Sequence, residues 1–234
     1  MGTSTRWAPA APAGLARAGV ATTGAERATL VRRTYLLVFA GVLVTMAGVA
    51  FTLTQPALMA AVARHPFLAF LATFAPLMAA QAFRDRFPAN IGFTLLFTFA
   101  EGVFLAPYLY MLQRTQPGVI GQTALLTGST FAVLTAYAWL SRRDFSAWGG
   151  FLTVGVWVLL GTMLLNFFFQ NAGAGLWIAA VGTLIFSGLL VFDTWRLRTQ
   201  YGPDDYVPAA VNIYLDLLNL FLFLLRILSG GRKE

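Results

Sequence analysis

The stretch NIYLDLLNLFLFLLRIL, residues 212–228, decides the fold. It is an apolar run close to the ~20 residues that cross a bilayer as a helix. Its four polar residues follow helical spacing: at about 100° per residue, Asn212, Asp216, Asn219 and Arg226 fall within one sector of about 80°. One face is therefore polar from end to end. Such a face is either a hydrated, ion-contacting surface or a stripe of interhelical hydrogen bonds that fixes packing. An aspartate on the stripe favours the first.

Six more runs of similar character precede it, at 34–55, 66–83, 91–112, 119–140, 149–169 and 174–195, and the last extends over 208–228. The 234-residue chain is 58% hydrophobic and 11% charged, against about 25% charged in soluble domains. Backbone groups in lipid must be satisfied within their own segment, and the runs lack the ~10-residue alternation of membrane barrels. The expected fold is an all-α integral membrane protein, a seven-transmembrane-helix bundle over residues 33–230. Residues 1–32, rich in Ala, Pro, Thr and Gly, are expected to be a disordered cytoplasmic tail without a secretory signal, and 231–234 a polar C-terminal tail.

The net charge of +7 does not point to nucleic acid, because the basic residues are sorted by loop. Arg6, Arg17, Arg27, Arg32 and Arg33 precede the first span, and Arg84, Arg86, Arg142, Arg143, Arg196 and Arg198 lie in loops on the same side, 11 in all. The other side has 5: Arg64, Arg114, Arg226, Arg232 and Lys233. This excess places the N-terminus in the cytoplasm. Without cysteine, and with His65 alone at a helix end beside Pro66, no thiolate or multi-histidine metal centre forms within the chain. The preference for Arg over Lys hints at a GC-rich genome and hence a bacterial inner membrane.

Three acidic residues fall inside apolar runs: Glu101, Asp193 in LLVFDTWRL (189–197), and Asp216. Carboxylates in hydrocarbon face a bundle interior, a water path or a cation. Counted from their helix ends, Asp193 and Asp216 lie roughly 8 Å and 12 Å deep, at similar depth on the cytoplasmic side. Were they to meet, they could not both ionise cheaply and would share a proton. The pair would also offer a weak calcium site, partly hydrated, since Ca²⁺ tolerates irregular oxygen ligation. Arg196, three residues after Asp193, is the rival partner as an i,i+3 ion pair. Asn212 and Asn219 are candidates for an ion path. Glu101, with Thr94, Thr98 and Tyr108 on its face, either continues that path or is a protonated carboxyl bonded to a neighbouring helix.

The segments VFDTWRL, GPDDY (202–206) and NIYLDLLNLFLFLLRIL resemble the closing signature of the Bax inhibitor-1 family, also called the transmembrane BAX inhibitor motif family. There a helix ends in an F/Y-D-T-Q-like motif and the final helix reads like S-L-Y-L-D-F-I-N-L-F-L-x-L-L-R. GFTLLFTFAEGVFLAPYL (92–109) resembles the family's third helix with its G-x-x-L-x-P ending. The resemblance implies seven helices with the last one central, and a pH-sensitive calcium leak in which the aspartates at positions 193 and 216 sense pH. It also implies an arginine latch at the end of the second helix, Arg86 in AFRDR (82–86) or its neighbour Arg84. Trp195 stands where many members have Gln, and an interfacial anchor is the expected role for the indole.

The expected function is thus a pH-sensitive calcium leak channel or calcium/proton transporter, non-enzymatic and without a tightly bound cofactor. Its expected partners are the bilayer, calcium ions and protons. A regulatory role through membrane proteases or stress and cell-death machinery is the alternative. An intramembrane aspartyl protease also uses two aspartates, but its G-x-G-D pattern is replaced here by Ile213, Tyr214 and Leu215 before Asp216.

Overall fold

A computed structural model describes residues 23–83, 86–169 and 171–230. Among them are eight helices: α1 (Gly24–Leu53), α2 (Pro56–Arg64), α3 (Pro66–Ala82), α4 (Ala89–Thr115), α5 (Val119–Leu140), α6 (Trp148–Phe169), α7 (Ala172–Thr199) and α8 (Tyr206–Gly230). Six of these, α1 and α4 to α8, are long and apolar enough to cross a membrane.

The second expected span differs. His65 stands before Pro66, a position that disfavours helical backbone, and Pro66 brings no N–H of its own. The chain bends by 103° there, and most of the stretch between the first two apolar runs forms the short helix α2. The 17 residues of α3 reach ~25 Å, short of a ~30 Å hydrocarbon core. The count is six spans, or seven if the bent pair is one.

The first helix also starts earlier than hydropathy indicates. Thr23 and Glu26 form a capping box: Thr23 Oγ1 accepts from the Glu26 N–H at 3.3 Å, and Glu26 Oε2 accepts from the Thr23 N–H at 2.8 Å. Two otherwise orphaned donors are thereby satisfied. Residues 24–32, assigned to the tail by composition, are helical.

Glycine sets the closest contact in the bundle, α1 against α4. A Cβ at Gly102 would collide with the Thr45 carbonyl, and one at Gly48 with the Phe99 carbonyl. Small residues let the two backbones approach to this degree. α8 packs on α1, α4, α5 and α7. With α1 and α7 it encloses a buried cluster that includes Leu30, Leu37, Leu190, Leu197, Ile213 and Leu220.

Arginines from neighbouring helices tie the helix ends on one side of the bundle. Arg27 Nη1 donates to the carbonyls of Leu197 (3.0 Å) and Tyr201 (2.7 Å), at and beyond the end of α7. Arg198 Nη1 donates to Trp139 and Ser141 at the end of α5, at 2.9 and 2.8 Å. Both cations sit where the last carbonyls lack partners and the helix dipole is negative.

Candidate functional site: a carboxyl pair in the α7–α8 seam

Asp193 lies two turns before the end of α7, and Asp216 lies in the N-terminal half of α8. Asp193 has both of the neighbours between which the sequence could not choose. Its Oδ1 accepts from Arg196 Nη1 at 2.9 Å, and its carboxyl is within side-chain hydrogen-bonding reach of Asp216. A hydrogen bond between two carboxyl groups requires a proton on one of them. Asp216 is buried, and its Oδ2 has no partner among the described residues.

Aromatic rings hold Arg196 in place. Its guanidinium stands 4.8 Å from the ring centre of Tyr201 and 5.6 Å from that of Phe192. The Tyr201 hydroxyl accepts from Asn212 Nδ2 at 2.9 Å. Burial, followed by the charge of Asp193, pushes this phenol up to about 12. Tyr201 therefore stays protonated at neutral pH.

The polar stripe of α8 faces α7 over most of its length but is not a continuous polar track. Asn212 meets Tyr201 and Asp216 meets Asp193, while Asn219 turns back onto the Leu215 carbonyl at 2.8 Å. Beyond it, Phe223 lies against Gly182 so closely that a Cβ there would sit 2.7 Å from the ring. Arg226 reaches Gly175 near the start of α7.

Glu101 belongs to a different corner. It is buried, with its carboxyl within side-chain hydrogen-bonding reach of Thr73 of α3, whose own hydroxyl donates to the Phe70 carbonyl at 2.8 Å. Thr94 and Thr98 bond carbonyls of their own helix, those of Asn90 and Leu95. Tyr214 lies near enough to interact with Glu101, and its hydroxyl pairs with Thr45 Oγ1 at 2.7 Å. Tyr214 and Asp216 are two residues apart, about 200° around α8. Glu101 and the carboxyl pair therefore approach opposite sides of that helix.

Arg86 stacks over Phe83 of its own segment at 5.4 Å, and the cation at the pair is Arg196. Arg84 lies outside the described residues. Trp195 corrects the expectation of an interfacial anchor: it is buried, stacked on Phe192 at 5.9 Å and packed with Ala138 and Phe145. Tyr201 and Thr73 are absent from the sequence reading, and Arg27 enters it only as one of the basic residues before the first span. Each meets its partner across a turn or from another helix, where spacing along the chain carries no signal.

The family described as inhibitor of apoptosis-promoting Bax1 matches residues 27–233. The chain belongs to this family. It is 31% identical over 211 residues to "Protein lifeguard 4" of Mus musculus, covering 89% of this chain and 87% of that protein. It is 31% identical over 207 residues to "Bax inhibitor 1" of Schizosaccharomyces pombe, covering 87% and 77%. A third relative, the "Golgi anti-apoptotic protein" of Vaccinia virus (strain Lister), is 36% identical over 151 residues, which are 64% of this chain. The match spans 62% of that viral relative's length. A membrane protein of Vibrio cholerae is 37% identical over 143 residues, covering 60% of this chain and 64% of that protein. In this Bax1-inhibitor family member the quoted FDT and YLD motifs are the segments that carry the two carboxyl groups of the seam.

Proposed function

We propose that the protein is a pH-responsive calcium leak channel in which Asp193, Asp216 and Arg196 keep the α7–α8 seam closed. The observation that carries this reading is the meeting of two carboxyl groups and one guanidinium in the α7–α8 seam. With one proton on the pair and one charge on Arg196 the cluster is neutral, the cheapest state for a buried site. Losing that proton sets two negative charges against each other. Gaining a second leaves Arg196 without a counterion. Either change weakens the contact, so the leak is lowest in the pH window where the pair holds one proton. Among the described residues no group of three or more His, Asp or Glu could hold a metal. In this reading calcium is the passing ion, and a coupled calcium/proton exchange would use the same carboxyls. In this reading α8 is the central axis of the bundle, the arginine-tied end faces the cytoplasm, the membrane is a bacterial inner membrane, and the protein is not an enzyme. Arg86 would act as a latch only in an arrangement that brings it from Phe83 to the pair.

The test is calcium flux into liposomes holding a calcium dye, as a function of pH. Asp216→Asn, whose amide replaces the shared proton permanently, should abolish the rise on the alkaline side. No flux from the wild-type protein, or an unchanged pH profile in Asp216→Asn, sinks the proposal.

A second reading rests on the relatives' names, one of them an anti-apoptotic protein: action through a partner protein. Partners captured equally by wild type and by Asp193→Asn/Asp216→Asn would favour it.

A further inference from the structure

At the end of the bundle away from the tied arginines, α1 and α5 part company. At the tied end they touch: Tyr35 meets Phe131 edge-on at 6.2 Å, and Trp139 Nε1 donates to the Tyr35 hydroxyl at 3.4 Å. Further along, the two helices diverge and leave a cavity of about 570 Å³ floored by α4 and α8. Its walls run from Val42 to Leu53 on α1 and from Gly128 to Ile120 on α5. Met46, Leu53 and Tyr110 on its lining are exposed, so it opens sideways into the surrounding hydrocarbon.

Of the hydroxyl groups in the lining, those of Thr45, Thr127 and Tyr214 are already engaged inside the bundle, while the Tyr110 hydroxyl and the Gln113 amide belong to exposed residues. Thr45 and Tyr214 bond each other at 2.7 Å, and Thr45 also donates to carbonyls of its own helix and of Thr98. An apolar cavity whose buried polar groups are satisfied does not hold ordered water. Its volume lies within the ~300–1,000 Å³ of small-molecule sites.

Length and charge select the occupant. From Val42 to Leu53 the groove is ~16 Å long, and one leaflet of a bilayer contributes about 15 Å of hydrocarbon, half of the ~30 Å core. At its open end, Tyr110 of the lining carries the Arg114 guanidinium 5.2 Å above its ring. Arg114 is exposed and has no ion pair among the described residues. From this juxtaposition we infer that the groove between α1 and α5 is a binding site for one glycerophospholipid, an acyl chain lying along it and the phosphate at Arg114.

Gly128 supplies a clean test, because a Cβ added there meets no atom within 4 Å. Full-length protein in detergent is titrated with dioleoyl phosphatidylglycerol and bound lipid is counted by native mass spectrometry. Wild type should retain one lipid. Gly128→Trp, which fills the groove, should weaken retention at least tenfold, and Arg114→Gln several-fold. Phosphatidylglycerol with two hexanoyl chains, which has the same headgroup without the length, should fail to compete. Should Gly128→Trp not fold, Gly128→Leu and Arg114→Gln carry the same comparison. Equal retention by wild type and variants, or equal competition by the short-chain lipid, overturns the inference.

Discussion

Arg196 and Asp193 form a 2.9 Å ion pair one helical turn apart, and the guanidinium stands 4.8 Å over the ring centre of Tyr201 from the turn that follows. This couples the electrostatics of α7 to the shape of the α7–α8 turn. Lysine offers the charge without the planar face. Arg196→Lys should therefore retain part of the wild-type pH profile of calcium flux, whereas Arg196→Gln should leak at neutral pH. The Arg196 side chain is 31% exposed, so solvent screening reduces the loss of stability to about 1–2 kcal/mol, below the ~3–5 kcal/mol of a fully buried pair. Thermal unfolding in detergent measures it.

Tyr201 makes a second, independent prediction at alkaline pH. Its phenol titrates near 12 in the folded protein, against about 10 in an unfolded chain. Below 10 both states hold the proton and stability is unaffected. Between about 10 and 12 only the folded state keeps it, so stability falls as pH rises through that window. Tyr201→Phe should remove this fall and lose the hydrogen bond from Asn212, a cost of about 1 kcal/mol. Thermal midpoints of both proteins across pH 9–12 provide the check.

Arg27 donates two charge-assisted hydrogen bonds to the end of α7. Arg27→Ala should leave the helices intact but loosen the turn between α7 and α8. A loss of about 1.5–3 kcal/mol for hydrogen bonds to a charged group is a tenfold or greater increase in local opening. Faster amide exchange at residues 197–205, with little change in α4, is the expected pattern.

Gly102 has no room for a side chain because the Thr45 carbonyl occupies it. Gly102→Val should separate α1 from α4 and yield little monodisperse protein by size exclusion, because backbone on both sides cannot yield. Gly121→Ala, with nothing within 4 Å, should behave as wild type.

Hydropathy located every long helix because burial in lipid requires uninterrupted apolar sequence, and it failed where other forces set the boundary. The start of α1 is fixed by hydrogen bonds between Thr23 and Glu26, which hydropathy does not weigh. The 103° break is a backbone effect of Pro66 and was visible as a proline, but its angle was not. Within the site, Asp193, Asp216 and Arg196 were legible because charge inside an apolar run is rare and the i,i+3 spacing is local. That both partners of Asp193 are present at once depends on how α7 meets α8. The burial of Trp195 was hidden for a related reason. Its neighbours Ala138 and Phe145 come from α5 and the segment that follows it.

That burial gives the molecule an optical reporter of its own seam. The indole of Trp195 stacks on Phe192, and the opposite role of Phe192 is to sit under Arg196. Departure of the guanidinium from that ring changes the field around an emitter only one side chain away. With the other five tryptophans (Trp7, Trp139, Trp148, Trp157 and Trp177) replaced by phenylalanine, emission from Trp195 would follow the state of the carboxyl pair without any attached dye.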